Sequence, residues 1–211
     1  MSGAARSHTS DPTSPDSGGS RRRPYLTVPD ERQRQRQIDY LHQRIQELHS
    51  LPRPNLKAIG ESWYDLAGVY ETAMPRRWVE SESAYVEAAR AFAQAGLNLA
   101  EAEARYQAGE AARHGYNHQA ALGHLTAALQ LYRLLGDGAQ RTPEAARGEA
   151  NVLKAQGDVL AFLDQRQDAL AKYDAALALF RTVGDRLGEA NVLKAQGDVL
   201  YFLKQTQDAL A

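Results

Sequence analysis

The 211 residues carry 25 Lys and Arg against 26 Asp and Glu, a formal net charge of -1, so no global field draws nucleic acid or an anionic membrane to the chain. The chain has no cysteine, which excludes disulfides and thiolate metal centres. No apolar run nears the ~20 residues of a membrane span, and the first residues lack the apolar segment of a secretory signal, so a cytoplasmic protein is the expectation.

Residues 1–30 are rich in Ser, Gly, Pro, Thr, Asp and Arg and poor in large apolar side chains. Such a segment cannot bury enough surface to offset its ordering entropy, and a disordered tail is expected. Its basic run, Arg21-Arg22-Arg23, suits phosphate or lipid, although a solvated linker is the plainer expectation. Over residues 31–51 the pattern changes. Ile38, Leu41, Ile45 and Leu48 fall on one face at 3-4-3 spacing, which predicts an amphipathic helix. Two heptads are few for a coiled coil, so a helix that caps the neighbouring helical region is favoured over a short coiled-coil segment. Pro52 and Pro54 end it.

From Leu56 to Ala211 the pattern is helical, with no strict alternation of the strand type, and the fold class is all-α. The decisive feature is internal repetition. Gly148–Ala171 and Gly188–Ala211 differ at three of 24 positions and lie 40 residues apart: Ala161/Tyr201, Asp164/Lys204 and Arg166/Thr206. A period of this length belongs to stacked helical units rather than to a single closed core. In the clearest unit a first helix carries Val152, Leu153, Gly157 and Leu160. Asp164-Gln165-Arg166 turns the chain, and a second helix carries Ala169, Tyr173, Ala176, Leu177 and Phe180 before Gly184. Gly157 costs about 1 kcal/mol in a helix interior, which implies a close approach of another backbone there.

The spacing L-x3-G-x2-L followed by A-x3-Y-x2-A, carried by Leu153, Gly157, Leu160, Ala169, Tyr173 and Ala176, resembles the tetratricopeptide repeat. Gln156 and Arg181 stand where that family has Leu and Pro, and the 40-residue period is longer than its usual one. Trp63-x2-Leu66-Ala67-x2-Tyr70 is a full match to the family's first helix. The frame gives units at about 60–101, 102–149, 150–189 and an incomplete 190–211, with the surplus residues of the second unit assigned to the connection around Gly136–Ala150. The resemblance implies a right-handed α-solenoid whose first helices line a concave groove.

On that implication the partner-binding side chains are those of the first helices that do not pack inward. They are Glu61, Tyr64 and Glu71 in the first unit, and Glu103, Tyr106, Glu110, Arg113 and His114 in the second. The third unit offers Asn151, Lys154, Asp158 and Phe162, and the fourth Asn191, Lys194, Asp198, Tyr201 and Phe202. Asn151 and Asn191 are expected as rungs that bracket an extended peptide backbone, each amide offering donors and an acceptor. Lys154–Asp158 and Lys194–Asp198 are also i,i+4 pairs, whose plainer role is to solvate the face.

The leading expectation is a non-enzymatic scaffold that binds a peptide or helix of a partner protein. The alternative is a sensor segment answering to a small ligand or peptide, and an enzyme with a site between the N-terminal helix and the first unit ranks behind both. No nucleic-acid, membrane, metal or cofactor partner is indicated. His114, His118 and His124 are close in sequence, but the Gly115-Tyr116-Asn117 turn separates the first two and no further ligand has zinc spacing. The last unit stops inside its second helix, leaving Leu200, Leu203 and Leu210 without a following neighbour, so a longer array or self-association through that edge is expected.

Overall fold

The computed structural model describes residues 31–136 and 142–210, with residues 206–210 described by backbone alone. The tail with Arg21–Arg23, and Asp137 and Ala211, lie outside the described residues. The described residues form eight helices and no strand: α1 (Glu31–Ser50), α2 (Leu56–Thr72), α3 (Trp78–Gln94), α4 (Asn98–His114), α5 (His118–Leu134), α6 (Pro143–Phe162), α7 (Arg166–Val183) and α8 (Arg186–Leu210). Each helix packs on the next, so the core is a chain of neighbouring layers: three hairpins, α2–α3, α4–α5 and α6–α7, between α1 and α8. α1 buries Ile38, Leu41 and Ile45 together with Leu66, Tyr70 and Tyr85, and so covers the first hairpin.

Local chemistry sets the helix ends. The side chains of Asn55, Asn117 and Thr142 accept the backbone N–H three residues on and cap α2, α5 and α6. Thr142 followed by Pro143 starts α6 ahead of the expected frame, so residues 143–150 are helix where a connection was expected, and α6 is 20 residues long. Asp185 likewise accepts from the Gly188 N–H and starts α8 at Arg186. Gly184, at φ 70, ends α7 in the left-handed region as its residue type requires.

Within the hairpins small residues face large ones. A Cβ on Gly157 would meet the Tyr173 ring at 2.5 Å, and one on Gly109 would meet the Leu125 side chain at 2.8 Å. The close approach at Gly157 is therefore that of an aromatic ring, where a backbone was expected. Tyr173, Phe180 and Tyr132 are among the largest fully buried side chains, each a burial of about 1.5–3 kcal/mol on area grounds. Gln156 is buried, and its amide donates to Thr126 Oγ1 of α5 at 3.3 Å. Its departure from an apolar residue thus adds a polar link between hairpins. Gln196 makes the corresponding reach to Asp174 at 2.7 Å. Two further links recur in register, Arg133–Glu149 at 3.0 Å and Arg181–Glu189 at 2.9 Å.

The turn expected after Leu203 does not form: α8 runs on to Leu210 as one helix of 25 residues. In the third hairpin the turn hinges on Asp164 at φ 63, a conformation that Asp tolerates better than most residues. Lys204 stands at that place in α8, without the short polar side chain that steadies the left-handed region.

Candidate functional site

From α4 onward the first helices lie closer together than the second helices: α4 touches α6 and α6 touches α8, whereas α2 and α4, α3 and α5, and α5 and α7 make no comparable contact. Repeats that approach on one side and diverge on the other bend toward the close side, so α4, α6 and α8 form the inner face.

That face carries a row of carboxylates held by phenols. Tyr132 Oη donates to Glu103 Oε2 at 2.8 Å, and Gln107 donates to the other oxygen at 2.8 Å. Tyr173 Oη donates to Asp158 Oδ1 at 2.9 Å, and Lys154 reaches Oδ2 at 2.7 Å. Arg113 grips Glu110 with two nitrogens, at 2.9 and 2.8 Å. At the α2 end, Ser81 donates to Glu71 at 3.2 Å, and the Tyr64 and Tyr85 rings meet edge to face at 5.0 Å. Burial, followed by the nearby carboxylates, pushes the Tyr64, Tyr85, Tyr106, Tyr132 and Tyr173 phenols well above their ordinary value. They are neutral donors at any physiological pH. Burial also pushes the Glu71 carboxyl up.

Three adjoining cavities run along these helices. One of about 610 Å³ lies between α1 and α2, from Gln37 and Thr72 to Arg44 and Asp65. It shares Tyr64 and Asp65 with a middle cavity of about 250 Å³, which in turn shares Glu61, Phe92, Ala100 and Glu103 with a third of about 770 Å³. The largest runs past the N-terminal ends of α2, α4 and α6, with Phe92, Leu97, Leu99 and Leu135 as apolar walls and Lys57, Arg147 and Asn151 among its polar groups. A fourth, of about 400 Å³, lies between α6, α7 and α8 and is lined by Asp158, Arg166, Asp198 and Phe202.

The residues singled out from the sequence divide accordingly. Glu103, Glu110 and Asp158 all act electrostatically on the Tyr106 phenol, and Asp158 and Asp198 act on that of Tyr173. Glu61, Tyr64 and Asn151 line the run of cavities. Lys154 is spent on Asp158, whereas Lys194 and Asp198 close no such pair among the described residues. Asn191 and Lys194 are exposed on α8. Phe162 is 63% exposed and its ring lies 4.3 Å from that of His118, away from Asn151. His114 stacks on Trp78 at 4.7 Å, apart from His118, and His124 meets Glu82 at 3.2 Å. Tyr201 is exposed against Phe202, and it is Phe202 that enters the cavity with Asp198.

The sequence did not mark Tyr132 and Tyr173 as site residues because their rings are packing letters; the polar tip of the same side chain reaches the inner face. Asp65, Leu97 and Arg147 carried no signal either, lying at helix ends or off the repeat frame, and Leu99 was legible only as a repeat match to Leu187.

No protein-family model matches the chain, and no curated protein matches it in sequence. In structure it is similar to the crystal structure of BtubC (BKLC) from P. vanneervenii, with a TM-score of 0.59 at 15% identity, over 85% of this chain and 78% of that one. At this identity the likeness concerns the fold alone. No described helix is long and apolar enough to cross a membrane.

Proposed function

We propose that the chain is a right-handed solenoid of the tetratricopeptide type that binds an extended peptide or helix of a partner protein along its inner face and catalyses no reaction. The observation that carries this reading is the run of three adjoining cavities along α1, α2 and the starts of α4 and α6, with apolar walls and with Glu103 fixed in place by the buried Tyr132 phenol. Glu103 keeps lone pairs for backbone N–H groups or cationic side chains while Tyr132 and Gln107 hold its position. Panning a random 12-residue peptide library on the immobilised chain, then measuring the selected peptides against Glu61→Ala and Asn151→Ala chains, tests it. A loss of about tenfold in affinity in either variant is expected, about 1.4 kcal/mol. Peptides indifferent to both substitutions overturn the groove.

A second reading has its own observation. The 770 Å³ cavity falls in the size range of small-molecule sites and touches α2, α4 and α6 at once. A ligand seated there would fix the spacing of three hairpins, as a sensor requires. Solution scattering that stays unchanged across ligands shown to bind this cavity would sink it.

A further inference from the structure

Two of the adjoining cavities differ in what lines them. The middle one carries Glu61, Asp65 and Glu103 with no basic side chain, and Tyr64, Phe92 and Ala100 complete its wall. Asp65 and Glu103 form no ion pair among the described residues, and Lys57 stands 3.7 Å from Glu61 with both side chains well exposed, a pair of little strength. Arg44 shares the α1–α2 cavity with Asp65 and closes no ion pair with it among the described residues. Tyr132 and Gln107 hold Glu103 as neutral donors, which leaves its charge uncompensated. Among the described residues no group of three or more His, Asp or Glu is placed to hold a metal ion, so the three carboxylates suit a broader cation. The large cavity is the reverse. Phe92, Leu97, Leu99 and Leu135 give it apolar walls, and Arg147 there is held by Asp185 at 3.0 Å. The two cavities meet at Glu61, Phe92, Ala100 and Glu103.

Resting on the groove reading above, we propose that the partner peptide places an arginine or lysine side chain in the middle cavity and a bulky apolar side chain, within two residues of it, in the large one. The spacing follows from the shared wall. In an extended chain the side chains at i and i+2 point the same way about 7 Å apart, so adjoining pockets take alternate residues. A guanidinium presents a planar fork of donors to carboxylate oxygens, and its flat face suits the Tyr64 and Phe92 rings. An acidic side chain at the same place would meet three carboxylates and no cation, a juxtaposition that rejects wrong partners. The apolar side chain removes water from Leu97 and Leu99, the latter 44% exposed in the free chain.

Random 12-residue peptides panned on the full chain supply the probes. Arginine or lysine within two residues of Phe, Trp, Leu or Ile is expected in most of those that bind. Glu61 and Asp65 are exposed on α2, so Glu61→Gln with Asp65→Asn spares the packing, and an unchanged urea unfolding midpoint checks that it does. The double substitution is expected to weaken a selected peptide at least about tenfold, and to leave unaffected the same peptide with its basic residue changed to Gln. Selected peptides that lack the basic and apolar pair, or whose basic residue shows no coupling to Glu61 and Asp65, overturn the proposal. If such peptides still lose affinity with Asn151→Ala, the cation proposal falls and the groove stands. If no peptide responds to Glu61, Asp65 or Asn151, both fall.

Discussion

Residues 148–171 and 188–211 are nearly the same sequence in two different surroundings. In the first stretch Leu153 is 3% exposed and Gly157 lies under the Tyr173 ring. In the second, Leu193 is 46% exposed, and a Cβ on Gly197 would meet nothing within 4 Å. Val152 and Val192 are fully buried in both, because that face packs on the preceding hairpin. Burial on the other face is the property of a neighbour: α7 covers α6, and no described helix covers α8. The repeated letters therefore specify a socket, and whether the socket is filled is decided elsewhere in the chain.

Paired substitutions measure the difference, each read as a shift in the urea unfolding midpoint. The largest is expected at the leucines: Leu153→Ala costs about 2–4 kcal/mol, and Leu193→Ala well under about 1 kcal/mol. Equal costs would mean that α8 is covered in solution, by a second copy or by residues outside those described. The glycines should differ in sign. Gly157→Ala drives a methyl into the Tyr173 ring and costs about 1–3 kcal/mol, whereas Gly197→Ala gains up to about 1 kcal/mol of helix propensity. Tyr173→Phe removes the hydroxyl from Asp158 and costs about 1 kcal/mol, with Lys154 retaining the carboxylate.

The smallest effect is one of pH. Burial, then Arg113, holds His114 below its ordinary range, so the unfolded chain takes up a proton before the native chain does. Stability contributed at neutral pH is lost as pH falls through the window below the unfolded value of about 6.5. His114→Phe, which preserves a ring against Trp78, should flatten the change in stability between pH 7 and pH 5; an unaltered pH profile would remove His114 from the account.

The hairpins were legible because a glycine facing an aromatic residue leaves a spacing that repeats. The start of α6 was legible too, in Thr142-Pro143-Glu144, but the repeat frame outweighed that capping signal and set the boundary late. The acidic members of the inner face, Glu103, Glu110 and Asp158, could be named as first-helix residues that do not pack inward. The cavities could not. Their walls at Phe92, Leu99 and Gly148 come from three different hairpins, and only their stacking brings them together. The course of α8 was hidden for a related reason: the turn at Asp164 depends on a single residue's tolerance of positive φ, and a helix pattern written through Lys204 reads equally well as one helix or two.

The contact of α4 with α6 and of α6 with α8, with the second helices held apart, has a mechanical meaning. From α4 to α8 the stack resembles a fan whose ribs touch along the handle and part at the rim. Tension along the stack would open the outer edge first and strain the inner packing last. An occupant wedged between the first helices works at the pivot, where a displacement of an ångström is magnified at the far rim.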